Sequence, residues 1–141
     1  FKSDVDWSQS FPEHQNAGRK QTWQVGLPVV DGEAGTPFQS VAAIADGTSM
    51  VVNWGTEGVQ YINTDITLAL ARPPVSLEVG LSATDRVEID GIAVGTVEVF
   101  DRAGPLGTAM VTSLANGKRP VSFENIEYTD DGERTSHGET A

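Results

Sequence analysis

Thr36-Pro37-Phe38-Gln39-Ser40-Val41-Ala42-Ala43-Ile44-Ala45-Asp46-Gly47 decides how the chain is read. Thr36 is an N-cap type, and Pro37 suits the first helical position, where a backbone N–H has no partner anyway. Phe38, Val41, Ala42 and Ala45 recur at i, i+3, i+4 and i+7, which predicts one apolar helical face. Gly47 either ends this helix or lets it bend and run on to about Val51. Met50, Val51 and Val52 favour the second option, because they need somewhere to bury.

On the N-terminal side, Thr22-Trp23-Gln24-Val25-Gly26-Leu27 alternates weakly and stops at Pro28, a strand pattern. Asp31-Gly32 is a turn pair. Residues 1–20 hold a short strand near Lys2–Trp7, then a linker through Pro12–Lys20. On the C-terminal side the period becomes two. Ile62, Thr64, Ile66, Leu68 and Leu70 share one strand face, and Asn63, Asp65, Thr67 and Ala69 the other. Arg72-Pro73-Pro74 ends that strand, since proline donates no ladder bond. Val75, Leu77, Val79 and Leu81 alternate with Ser76, Glu78, Gly80 and Ser82.

Asp90-Gly91 predicts a hairpin. Ile92 and Val94 are out of phase with Val97 and Val99, so a bulge is expected at Gly95. Leu106, Met110 and Leu114 share a face on the last strand, opposite Gly107, Ala109, Val111 and Ser113. The pattern is α+β: one helix lying on a curved antiparallel sheet, over residues 21–116. One helix covers one sheet face, so the other face and the edge call for a partner. Residues 117–141 turn polar and acidic and are expected to be a disordered tail beyond about Tyr128.

The 141 residues include 20 acidic and 9 basic side chains, a net charge of −11. That balance repels phosphate backbones and anionic lipid, which argues against nucleic acid or a membrane as partner. No apolar run approaches the ~18 residues of a membrane span. The polar opening Phe1-Lys2-Ser3-Asp4 does not read as a secretory signal, and Phe1 in place of Met is expected of a fragment or processed piece. The cytoplasm is the expected compartment. The absence of cysteine excludes thiol catalysis, disulfides and Cys-ligated zinc. His14 and His137 lie in the weakly patterned ends and read as solvated surface groups, which removes Ser-His-Asp catalysis and a His-based metal site. There is no G-x-S-x-G stretch and no phosphate-cradling glycine loop, and no cofactor is called for.

Carboxylates remain. Asp46 follows an apolar helical run, where it sits at the negative end of the helix dipole or is partly desolvated. Either setting makes a carboxylate a stronger base, suited to activating water. The competing reading is a solvated side chain on the polar face. Asp65, beside Asn63 and Thr67, is a polar site wall, a wet sheet face or a subunit contact. Asn63 and Thr64 offer an amide and a hydroxyl that could orient a water or a carbonyl.

Several stretches together resemble the C-terminal half of thioesterase-like double-hotdog proteins, related to acyl-CoA thioesterase II. They are Thr22-Trp23-Gln24-Val25, Pro28 to Glu33, Pro37-Phe38-Gln39, Ala42 to Gly47, Ile62 to Leu68, Arg72 to Val75, Gly91-Ile92-Ala93 and Asp101 to Gly107. The resemblance covers roughly residues 21–115. It implies a hotdog fold, with the helix wrapped by the sheet and two hotdogs paired as a homodimer or with another hotdog domain. It implies hydrolysis of an acyl-CoA or similar acyl thioester by water held between an Asp, a Thr and a Gln. Asp46 matches the Asp, Asn63 falls at the Thr position, and Val111 falls at the Gln position, where it cannot hydrogen-bond water. Thr64 and Val111 are then expected at the substrate, and a basic partner half or the few arginines, such as Arg72 and Arg86, would receive the coenzyme A phosphates. The departures imply an alternative: a catalytically impaired hotdog subunit with a structural or acyl-binding role. An unrelated all-β binding module with one incidental helix is the remaining reading.

Overall fold

The computed structural model of the chain describes residues 1–117, 120–124, 126–128 and 134–136. The predicted helix is present as a bent rod. Its first part is α1 (Pro37–Ile44), its middle a 3-10 turn (Ala45–Gly47), and its last part α2 (Thr48–Asn53). Thr36 starts it with a reciprocal cap. Its Oγ1 accepts from the Gln39 N–H at 3.2 Å, while the Gln39 Oε1 accepts from the Thr36 N–H at 3.0 Å. Such a cap contributes about 1 kcal/mol. The helix therefore continues past Gly47, as Met50, Val51 and Val52 suggested. Its buried stripe is rotated from the expected one: Val41, Ile44 and Ala45 are buried, but Phe38 and Ala42 are exposed. A central helix sets aside the all-β reading.

Five strands form one antiparallel sheet in the order β1 (Gln21–Val25), β5 (Glu78–Ile89), β6 (Ile92–Asp101), β7 (Gly104–Ala115), β4 (Tyr61–Leu70). Two short strands, β2 (Trp54–Gly55) and β3 (Gly58–Val59), lead from the helix into β4. The core lies between helix and sheet. Val41, Ile44, Val51 and Val52 pack against Val79, Leu81, Val97, Val99, Leu106, Ala109 and Val111. Burying each such Val or Leu stabilises by about 1.5–3 kcal/mol, and Leu81→Ala would cost about 2–5 kcal/mol. An α+β chain with a helix held against a curved antiparallel sheet is compatible with a hotdog fold.

The hairpin at Asp90-Gly91 is present, with both residues at positive φ (50° and 80°), as the tight mirror-image turn demands. Strand parity differs from the sequence pattern because three extra residues intervene. On β5, Thr84 and Asp85 together oppose Thr96, so the bulge lies across from β6 and not at Gly95. Ala93, Gly95, Val97 and Val99 all face the helix in unbroken alternation, and Ile92 and Val94 face outward. Gly95 is small for another reason: a Cβ there would strike the Val52 side chain of α2. On β7, Leu106 is the extra residue between Pro105 and Gly107 and turns inward, while Met110 and Leu114 point out. On β4, Thr64 is the extra residue between Asn63 and Asp65.

The outer sheet face carries exposed apolar side chains. Ile89, Ile92, Leu114 and Ile62 form a cross-strand row, with Val87 and Val94 beside it.

Residues 1–20 pack more closely than a linker would. They form one bridge, Lys2 to Gln21, and a 3-10 turn (Pro12–His14) in place of the expected strand near Lys2–Trp7. His14 is fully buried, contrary to the solvated reading. Its Nδ1 pairs with the Ser3 hydroxyl at 2.8 Å and its Nε2 with the Ser8 hydroxyl at 2.9 Å. Phe1, Phe11, His14 and Phe123 surround the buried Trp54 at ring separations of 5.0–6.3 Å. Lys20 is also buried, its Nζ donating to the carbonyls of Asn16 and Gly18 at 2.8 and 2.6 Å. Apolar residues brought in by long-range contact, which no local period reveals, order this segment. In the tail, β8 (Ile126–Tyr128) pairs with β9 (Arg134–Ser136). The rest of the stretch 129–141, including His137, lies outside the described residues. No helix is long and apolar enough to cross a membrane among the described residues.

Candidate active site

The two edge strands of the sheet, β1 and β4, both reach the helical bend. A cleft of about 570 Å³ fills the space left there. Its lining comes from β1 (Thr22, Trp23, Gln24), the bend and α2 (Asp46, Gly47, Ser49, Met50), and β3–β4 (Val59, Tyr61, Ile62, Asn63). Phe1, Gln9, Val121 and Phe123 complete the wall.

Asp46 stands in the 3-10 turn, where the helix changes direction, and is exposed to the cleft and solvent. It is thus neither the last residue of a terminating helix nor desolvated inside one. Gly47, its neighbour, lies beside the sheet. A Cβ there would lie 3.4 Å from Gln24 Nε2 and 3.6 Å from Leu81 Cδ1.

Asn63 reaches the same cleft through the bulge on β4. Strict alternation would put Asn63 and Ile66 on opposite faces. With Thr64 as an extra residue, Asn63 opposes the buried Ser113 and Ile66 opposes the buried Val111, so both face the helix. Asp46 and Asn63, on different elements, are therefore brought together. Thr64 is exposed and donates its hydroxyl to the Thr112 carbonyl at 3.1 Å, holding the bulge against β7. Asp65 pairs with Thr112 on the outward side, away from the cleft.

Two of the other expected site residues lie elsewhere. Val111 is fully buried in the core, with Ile66 and Gly95 as strand neighbours, and does not line the cleft. Arg72 spans to Asp101, with N–H groups 3.0 and 2.8 Å from its two carboxylate oxygens, and also donates to the Gly104 carbonyl at 3.0 Å. Asp101 further accepts the N–H groups of Val75 and Ala103, both at 2.9 Å. The Arg72 guanidinium, with these N–H donors, holds the Asp101 carboxyl far below the usual carboxylate range. Arg72 thus ties the β4–β5 connection to the β6–β7 turn. Arg86 donates to Asn53 Oδ1 at 3.1 Å and to Glu88 at 2.8 Å, against the Tyr61 ring.

Gln24 is the cleft residue that strand pattern alone did not single out. Its Nε2 donates to the buried Thr22 hydroxyl at 3.1 Å. A polar residue two places after another on an edge strand was the available signal. The aromatic wall of Phe1 and Phe123 depends on chain segments far apart in sequence. Asp46 is the charged side chain of the described lining, and no Lys or Arg side chain joins it. Among the described residues, no group of three His, Asp or Glu side chains is placed to hold a metal ion. The arrangement offers one proton-accepting carboxylate, neutral amides and an apolar wall, which together suit polar attack on an acyl group carried on an apolar chain.

No curated protein and no solved structure matches the chain. A family model described as the acyl-CoA thioesterase C-terminal domain matches residues 3–114. That match takes in both edge strands, the helical bend and nearly all of the sheet, and the chain belongs to the acyl-CoA thioesterase C-terminal domain family.

Proposed function

We propose that the chain is a hotdog thioester hydrolase in which Asp46 activates a water and Asn63 holds the thioester carbonyl. The observation that carries this reading is the meeting of Asp46 and Asn63 on one cleft with an apolar wall. Asp46 accepts a proton from water as the water oxygen bonds to the acyl carbon. The Asn63 amide donates to the carbonyl oxygen as it gains charge. Collapse of the tetrahedral species breaks the C–S bond, and the departing sulfur takes the proton from Asp46. The products are a carboxylic acid and a thiol. Met50, Val59 and Phe123 provide surface for the acyl chain.

The substrate is an acyl-CoA or a similar acyl thioester, and the compartment is the cytoplasm. Pairing with a second hotdog, a copy of itself or another domain, would cover the exposed row Ile89–Ile92–Leu114–Ile62. Neither Arg72 nor Arg86 stands in the cleft, so neither is placed to receive coenzyme A phosphates there. The test is thiol release from acyl-CoAs of several chain lengths. Release by the wild-type chain, lost in Asp46→Asn, supports the reading; equal release by both overturns it.

A second reading is favoured by Val111, whose burial leaves the last strand without a polar group at the cleft. It makes the chain an acyl-binding or structural half. Retention of an acyl ligand without turnover is its signature.

A further inference from the structure

With Asn63 given to the thioester carbonyl, Asp46 alone leaves a water under-held. A fixed water makes about three hydrogen bonds, and a nucleophile that can rotate forfeits most of the benefit of being bound. The last strand supplies no third group, since Val111 is sealed in the core.

Gln24 faces the same cleft from the other edge of the sheet. It approaches the helical bend at the residue next to Asp46, with Nε2 3.4 Å from the position a Gly47 Cβ would take. The Thr22 hydroxyl, itself buried, takes one N–H of the amide at 3.1 Å. That bond sets the plane of the carboxamide, and Oε1 remains as an acceptor.

We infer that Gln24 is a catalytic residue of this site, accepting through Oε1 the second hydrogen of the water that Asp46 deprotonates. The inference rests on the hydrolase reading above. It assigns to the first strand a role that the resemblance placed on the last. Thr22 then acts as a positioning residue, through Gln24.

The experiment compares Gln24→Leu, Gln24→Glu and Asp46→Asn in steady-state acyl-CoA hydrolysis across pH. Gln24→Leu keeps the bulk and loses the acceptor, so kcat should fall on the order of 10- to 100-fold with KM within about twofold. Gln24→Glu keeps an acceptor oxygen but adds a second negative charge near Asp46. It should retain most of the rate above neutral pH and move the acidic limb of the pH–rate profile upward, because like charges disfavour ionisation. A merely structural glutamine would cost stability in Gln24→Leu without lowering kcat of the folded enzyme. A kcat for Gln24→Leu within about twofold of wild type, with Asp46→Asn inactive, overturns the inference and leaves the hydrolase reading standing. Full activity of Asp46→Asn, or none in the wild type, removes both. If Gln24→Leu does not fold, Gln24→Met, which keeps the length without the acceptor, decides in its place: a kcat lowered on the order of 10-fold supports the role, and a kcat within about twofold of wild type overturns it.

Discussion

Asn63 and Ile66, three places apart on β4, face the same side of the sheet because Thr64 is an extra residue between them. The bulge aims an amide into the cleft while Ile66 still packs on the core. It is a case of a local irregularity re-aiming a side chain into a cleft.

Replacing Asn63 by Ala should therefore affect turnover and spare the fold. Asn63 is exposed, so stability should change by no more than about 0.5 kcal/mol. Loss of a donor to the developing oxyanion should lower kcat on the order of 100-fold. Thiol-release kinetics alongside a thermal melt check both parts. A large drop in melting temperature, with kcat intact in the folded fraction, would refute the assignment.

Installing the missing amide on the last strand should fail. Val111→Gln places a carboxamide where the side chain is fully buried between Ile66, Gly95 and the helix. An unsatisfied buried amide costs about 1–3 kcal/mol, and the added bulk increases the strain. The expected outcome is a lower urea midpoint with no gain in hydrolysis. A more active, equally stable variant would mean that Val111 reaches the cleft.

The helix and its start were legible because Thr36, Pro37 and Gln39 act locally, and the Asp90-Gly91 hairpin for the same reason. Sheet parity was not, since one extra residue inverts every later assignment. Thr64, Leu106 and the Thr84–Asp85 pair each carry a residue that the alternation cannot announce. The rotated helix stripe has a related cause: α1 packs Val41 and Ile44 on β5, and Phe38 lies beyond the reach of the sheet. Asp46 and Asn63 were legible as candidates through the family resemblance, and both line the cleft. Gln24 was not, because its value depends on the closeness of β1 to the helical bend, a purely tertiary fact.

Arg72 gives a contrast between fold and site. Its guanidinium is committed to Asp101 and the Gly104 carbonyl. Arg72→Ala should lower the melting temperature, since the buried Asp101 carboxylate loses its counter-charge. The KM for acyl-CoA should stay within about twofold, as the side chain does not line the cleft. A rise in KM at unchanged stability would restore Arg72 to a phosphate-binding role.

The charge of −11 bears on any polyanionic substrate. With Asp46 as the charged side chain of the described lining, coenzyme A approaches against the field of the protein. Raising the salt from about 10 mM to 150 mM shortens the screening length from roughly 30 Å to 8 Å and weakens that repulsion. KM for an acyl-CoA should fall, while KM for the same acyl group on an uncharged thiol should not change. A KM that rises with salt would reveal an attractive, cationic phosphate site.

His14 should make stability depend on pH near neutrality. Burial is the main cause that pushes its proton affinity down, followed by the Phe1 amino group, with Glu13 opposing and Lys20 adding to the shift. The folded chain therefore holds His14 neutral, while the unfolded chain takes up a proton below about pH 6.5. More protons bound in the unfolded state means that stability rises with pH. The contribution is complete above that value and is lost as pH falls through it toward the lower folded value. Asp101 and Glu78, both held below the ordinary carboxylate range, lose their contributions only in more acidic solution. Urea midpoints measured from pH 8 to pH 5 should decline more steeply for the wild type than for His14→Gln, which keeps polar contact with Ser3 and Ser8 but takes up no proton; the decline left in the variant comes from the Phe1 amino group, whose proton affinity burial also lowers. A decline of equal steepness in both chains would place the titrating group elsewhere.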